Sequence, residues 1–430
     1  MLAACHPPRG KARTPWRAAV VHHQVSRVNG VAMTVQATLA TATGRWWIPA
    51  GMATAAMATS MTGLYAMSAL APFVVSEWDL SRAAVGALVT VSFGVAAAVS
   101  LVAGQLVDRW GARAAVTTLC ATVAVALLGA STSATYGWLL VAVAVAGVGQ
   151  ALANPATNVL VNRAVPGDRR GTAIGMKQAG VQLAAFGCGM VLPVVAVTVG
   201  WRGALRLAAV APLLVLLAAW WYTPTAAGQQ QGGRWWRLAA PSGWLAWLVG
   251  FSLLLGTGLA AVNTYLPLYA TQRLGLDAGV AGGLLAVFGV TGLVARVWWG
   301  RWADRSPEVL GALSLLTAAA VAGVLLVLLA GPLWSGLVWM GALVVGGSAT
   351  AANAVSMLAV LRCGEAVAQA SGLVSLGFFS GFVVGPAAIG WCADVAGWEA
   401  SWLVVGVLFA GAAVVARRVR TAGTGRAATR

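Results

Sequence analysis

The sequence predicts an all-α membrane protein: twelve transmembrane helices in two related bundles of six. Three observations predict it. Apolar runs fill most of the chain, a polar linker divides them six and six, and short strings recur 196 to 199 residues apart. Of 430 residues, 60% are hydrophobic and 9% charged, whereas about a quarter of the residues of a soluble domain are charged. The solvent for most of this chain is therefore lipid.

Crossing a hydrocarbon core of about 30 Å takes about 20 apolar residues, and runs of that kind fall approximately at 46–75, 83–107, 113–130, 137–161, 172–199 and 204–222. Six more fall at 244–270, 280–302, 310–330, 333–361, 367–393 and 398–416. Lipid offers the backbone no hydrogen-bond partner, so these runs satisfy themselves as helix, and the alternating ten-residue pattern of a barrel is absent. Trp46, Trp47, Trp138, Trp244 and Trp398 stand at run ends, where an interfacial aromatic belt places them. The chain divides into an Arg-rich tail (1–45), a first bundle (46–222), a linker (223–243), a second bundle (244–416) and a basic tail (417–430). The first tail lacks the apolar stretch of a secretory signal and reads as disordered, and Met33, closer to the first span than Met1, reads as an alternative start.

The net charge of +17 would suggest nucleic acid in a soluble protein, but here its distribution gives orientation. With the N-terminus in the cytoplasm, 21 Lys and Arg lie on cytoplasmic segments against four outside, Arg82, Arg202, Arg206 and Arg273. Both termini are thus expected inside, at the inner (plasma) membrane, with the bilayer rather than nucleic acid as partner. Cys5, Cys120, Cys188, Cys363 and Cys392 show no CxxC spacing, and His6, His22 and His23 all precede the spans, so no His-based catalytic site, metal site or cofactor is implied. Neither Lys11 nor Lys177 belongs to a GxxxxGK[ST] phosphate loop, which leaves an ion or solute gradient as the energy source.

The two bundles resemble one another. GQLVDRWG from Gly104 returns as GRWADRSP from Gly300, Asn154 corresponds to Asn353, and Gly175 and Gly180 correspond to Gly372 and Gly377. Concordant offsets argue for a duplicated six-helix unit, the architecture in which one bundle rocks against the other around a midplane site. With GxxxDRxGxR met by Gly104, Asp108, Arg109, Gly111 and Arg113, and a degenerate copy at Gly300, Asp304 and Arg305, the chain resembles the major facilitator superfamily over nearly all of its length except the tails. The resemblance implies secondary transport of a small solute by alternating access, by a chain that works as a monomer. It also implies a cytoplasmic gate, in which Asp108 faces the start of the eleventh span and Asp304 the start of the fifth, where a helix N-terminus attracts a carboxylate.

Charges within the spans point to the solute path, because each costs about 2.5 to 3.5 kcal/mol on insertion scales unless paired or solvated. Lys177 stands two turns past Arg170, and Gln178 and Gln182 form a polar face beside it; Arg296 stands one turn before Gly300. Two readings stand for the two cations: an anion-binding region where the fifth and eighth spans meet, or cations that snorkel to headgroups and brace Asp304. Tyr65, Asn154, Asn158, Asn263, Tyr265 and Asn353 are further candidates, on spans that line the cavity in the resembling family, although single polar residues there also serve as interhelical glue. None of the ten acidic residues falls in mid-span, which argues against proton coupling unless Lys177 itself exchanges the proton.

The alternative within the same superfamily is multidrug or antibiotic efflux by proton antiport. Its motif would put an Arg at position 143, where this chain has Val143, and GxxxGP occurs on the eleventh span (Gly381, Gly385, Pro386) rather than the fifth. A membrane sensor or enzyme on the same scaffold lacks paired mid-span acids, histidine and any sizeable extramembrane domain.

Overall fold

The computed structural model describes residues 46–223, 243–305, 309–362 and 367–427. The N-terminal tail with Lys11, Met1 and Met33, and nearly all of the linker, lie outside the described residues. Those described are almost entirely helical, with no strand among them.

The first half comprises α1 (Trp47–Trp78), α2 (Arg82–Ser131), α3 (Tyr136–Ala164) and, after a short 3-10 turn (Gly167–Arg169), α4 (Arg170–Tyr222). The second comprises α5 (Trp244–Gln272), the single turn α6 (Ala278–Ala281), α7 (Gly283–Arg305), α8 (Val309–Ala330), α9 (Leu337–Arg362) and α10 (Val367–Ala427). Among the described residues, nine helices are long and apolar enough to cross a membrane. Three of them, α2, α4 and α10, each run through two of the expected spans and are broken by one glycine: Gly111 (φ 81°, ψ 166°), Gly200 (φ 74°, ψ 163°) and Gly397 (φ 84°, ψ 176°). A Cβ at positive φ with extended ψ is strained, so glycine alone reverses the chain there without an intervening loop.

Local sequence explains the other ends. The Ser81 side chain accepts the Ala84 N–H at 3.1 Å and the Thr135 side chain that of Trp138 at 3.3 Å, capping α2 and α3. Residues 333–336, expected as helix, instead form turns between Pro332 and Gly336, so that α9 starts at Leu337. Helix α10 continues beyond Ala416 to Ala427. Apolar side chains such as Trp221 (78% exposed), Leu333 (70%) and Val407 (70%) cover the outer surface, as a lipid solvent requires and water would penalise.

The halves meet along α2–α10, α4–α7 and α1–α5. Close approach depends on glycine: a side chain on Gly86 would strike the Pro386 carbonyl, one on Gly189 the backbone of Gly282 and Ala286, and one on Gly289 the backbone of Gln182 and Phe186. At the rim formed by the ends of α1, α5 and the α10 break, the seam is tied by hydrogen bonds. At the opposite end, near the GxxxDRxGxR motif, Gly104, Gly175 and Gly372 each face open space.

Candidate functional site

Lys177 on α4 is 1% exposed and turns into its own half, toward α3. Its ammonium donates to Asn158 Oδ1 (2.5 Å), Thr157 Oγ1 (3.1 Å) and Asn154 Oδ1 (3.3 Å). Three bonds to neutral oxygens, each worth about 1.5 to 3 kcal/mol when one partner is charged, offset the cost of burying the cation. The expected candidates Asn154 and Asn158 are thus brought together by Lys177. Thr157 completes the cage, and its place could be read from the i, i+3, i+4 spacing of Asn154, Thr157 and Asn158, which puts the three on one helical face.

Gln182, rotated away from Lys177, faces the other half, where it packs against Gly292 of α7, and the main chain of Gln178 meets that half too. The Gln178 carbonyl accepts a hydrogen bond from Arg296 Nη1 on α7 at 3.1 Å, across the seam. Arg296 has five N–H donors to satisfy, yet its buried Nε has no partner. No carboxylate pairs with it among the described residues. Tyr65 on α1, 2% exposed, lies within electrostatic reach of the same guanidinium. Gln182 is 2% exposed and its Oε1 is likewise without a partner. The two membrane cations therefore do not share a partner: Lys177 is held inside the first half, and Arg296 stands at the seam.

Asn263 on α5 is buried with Oδ1 unpartnered, and its carbonyl accepts the Ser68 hydroxyl from α1. Asn353 Oδ1 on α9 is also unpartnered. Tyr265 belongs elsewhere: its hydroxyl sits 2.5 Å from the Pro386 carbonyl and 3.0 Å from that of Arg82, in the rim.

That rim went unread in the sequence. Both oxygens of Asp394 accept backbone N–H groups at the start of α2, from Arg82 and Ala83, at 2.9 Å each. A carboxylate on one half thus caps a helix N-terminus of the other, where the helix dipole favours it. The Arg82 guanidinium donates to Gln272 Oε1 (3.0 Å) and the Ala393 carbonyl and stacks 4.6 Å from the Trp398 ring centroid. Deeper in, the Thr90 hydroxyl donates to the Val383 carbonyl at 2.7 Å, and Phe93 stacks on Phe382 and Phe379. Arg82 and Asp394 are 312 positions apart, and no local pattern announces such a pairing.

At the other end, Asp108 is half-buried and Arg109 exposed, and neither has a partner among the described residues. Arg113 donates through Nε to the Thr223 carbonyl at 2.6 Å, fastening the motif to the end of α4. Gly104 faces open space and Gly111 makes the break in α2. Gly300, Asp304 and Arg305 fall on the last turns of α7; their side chains, and those at the start of α10 that Asp108 is expected to face, lie outside the described ones. Among the described residues no three of His, Cys, Asp or Glu gather as a metal site would need.

The fold has close counterparts. A nucleoside transporter, NupG, in a mutant form, superposes with a TM-score of 0.70 at 14% identity, covering 86% of this chain and 99% of that one. A bacterial homologue of the human lysosomal transporter Spinster, in an inward-facing and occupied conformation, superposes with a TM-score of 0.65 at 14% identity, covering 87% and 96%. At such identity the likeness concerns the fold. No curated protein matches the sequence. The family model described as Major Facilitator Superfamily matches residues 51–362 and 248–429, together most of the chain. With that match and this helical architecture, the chain belongs to the Major Facilitator Superfamily of membrane transporters.

Proposed function

We propose that this transporter moves a small organic anion by alternating access, with Arg296 as the group that receives the negative charge. The observation that carries the reading is the guanidinium itself: at the seam between halves, with one carbonyl bonded, its buried Nε unpartnered and no carboxylate beside it among the described residues. An unpartnered donor on a buried charged group costs upward of about 1 to 3 kcal/mol, and an anionic solute is the natural partner that removes the cost.

The twelve-span, two-bundle organisation belongs to the same proposal, the glycine breaks at Gly111, Gly200 and Gly397 each dividing a long helix into two arms. With both termini in the cytoplasm of the inner membrane, the motif end is the cytoplasmic one, and the conformation described has its outer rim closed. Opening outward then requires Asp394 to leave the start of α2, and Asp108 and Asp304 would take up the equivalent positions at the opposite rim. A gradient supplies the energy, and a monomer suffices.

Two measurements test this. Cysteines at Thr90 and Val383, oxidised to a disulfide, should stop flux in proteoliposomes and release it on reduction; flux unchanged by a fully formed crosslink would defeat alternating access. Replacing Arg296 by Gln should abolish saturable uptake of acids, and retained uptake would remove the assigned role.

A further inference from the structure

Beside Arg296 the seam presents an acceptor that also lacks a donor. Gln182 Oε1 is buried without a partner. It lies against Gly292, one turn before Arg296 on the same face of α7: a Cβ built on Gly292 would stand 3.0 Å from Gln182 Oε1 and 2.9 Å from Thr350 Oγ1 of α9. The Thr350 hydroxyl proton is already committed, donated to the Gly346 carbonyl at 2.6 Å. Its remaining capacity is therefore as an acceptor. Around Gly292, then, stand two oxygens from two different halves, Gln182 Oε1 without any partner and Thr350 Oγ1 able to accept a further bond. One helical turn away, about 5.4 Å along the axis, a guanidinium awaits an acceptor.

Neither Arg296 Nε nor Gln182 Oε1 has a partner in this conformation, and an anion on the guanidinium alone would leave the Gln182 oxygen without a donor. An alkyl acid would thus relieve the unpartnered Nε and leave the Gln182 oxygen as it was, although a buried acceptor without its bond also costs free energy. We infer that the solute is a carboxylic acid that also carries an O–H or N–H donor, its carboxylate on Arg296 and its hydroxyl or amino group between Gln182 and Thr350. Glycine at 292 lets the two oxygens come this close to α7. This rests on the anion reading above and narrows it to hydroxy and amino acids.

The test uses purified full-length protein and matched short-chain acids: butanoate, 2-hydroxybutanoate, 4-hydroxybutanoate and 4-aminobutanoate, scored by equilibrium binding. In the wild-type protein, at least one donor-bearing acid should bind about tenfold tighter than butanoate, the effect of one well-made buried hydrogen bond. Gln182→Met and Thr350→Val should each erase most of that preference; two variants are used so that one folding poorly does not decide the matter. Arg296→Gln should weaken every acid. Equal binding of butanoate and its hydroxy and amino relatives, with sensitivity to Arg296 intact, overturns this inference and leaves the anion reading standing. Binding of none of the acids, by a protein whose thermal transition is intact, overturns both.

Discussion

The two halves place equivalent residues at equivalent points and then differ at a handful of positions. Gly200 and Gly397, 197 residues apart, break their helices with nearly the same dihedral angles. Gly180 packs on the Thr54 carbonyl of α1 and Gly377 on the Val249 carbonyl of α5, positions offset by 197 and 195. The seams also correspond, α4 against α7 and α10 against α2, but their contents part company. Where the first has Gln182 against Gly289, the second has Phe379 against Phe93, offset by 197 and 196. Shared residues thus build the scaffold, and the unshared ones separate a polar seam, suited to holding a solute, from an aromatic seam, suited to excluding water.

Lys177 gives the sharpest way to break this comparison. Its counterpart 197 positions on is Val374, which is fully buried. Its cage member Asn154 corresponds to Asn353, whose Oδ1 has no partner. If the cage, and not position alone, makes a cation tolerable, Val374→Lys should cost about 2.5 to 3.5 kcal/mol, read as a lowered thermal transition and a poor yield of monodisperse protein. Lys177→Met should cost less, about 1 to 3 kcal/mol, because Asn158 is exposed and regains its hydrogen bonds from solvent. A Val374→Lys protein as stable as wild type would mean that the second half has an acceptor set of its own.

The seams can be weighed against each other through ligand affinity. Arg296→Gln should weaken acid binding by about 10- to 100-fold, the range for a charge-assisted hydrogen bond. Phe379→Leu should change it by less than about threefold while lowering stability by about 1 to 3 kcal/mol, since it removes ring contacts with Phe93 and Phe378. Comparable losses of affinity from both would show that the aromatic seam also meets the solute.

How much of this was legible follows the distance over which each interaction acts. The spans could be read because lipid imposes length and apolarity on every run, and the duplication because it leaves offsets. That Gln178 and Gln182 face away from Lys177 follows from 3.6 residues per turn; which direction faces the other half does not, since that is set by packing among helices remote in sequence. Lys177 and Arg296 were both visible as charges in lipid, but their different partners were not. Arg82 illustrates the limit: counted as one of four outer cations, it proves to be a tie between halves, because Asp394 lies at the far end of the chain.

The rim ion pairs supply the smallest expected effect and the cleanest use of the symmetry. Glu77 pairs with Arg202 at 2.6 Å in the first half, and Arg273 pairs with Glu399 at 2.6 Å in the second. The positions correspond at offsets of 196 and 197, with the charges exchanged. The geometry therefore accepts either polarity, and what matters is opposite sign across the helix break. Both pairs are a third or more exposed, so each contributes only about 0.2 to 1 kcal/mol in screened solvent. Glu77→Gln should lower stability at the upper end of that range, because the Trp201 indole N–H also donates to Glu77, at 2.6 Å. The exchange Glu77→Arg with Arg202→Glu should recover the Coulombic part, leaving a deficit from the lost indole bond and from the lost Arg202 contacts to the Ser133 carbonyl and the Trp201 and Trp78 rings, and the recovered part should shrink as salt is raised. A double exchange no better than Glu77→Arg alone would show that the indole bond and the Arg202 contacts to Ser133 and the two Trp rings, and not the opposite charges, fix this corner of the first half.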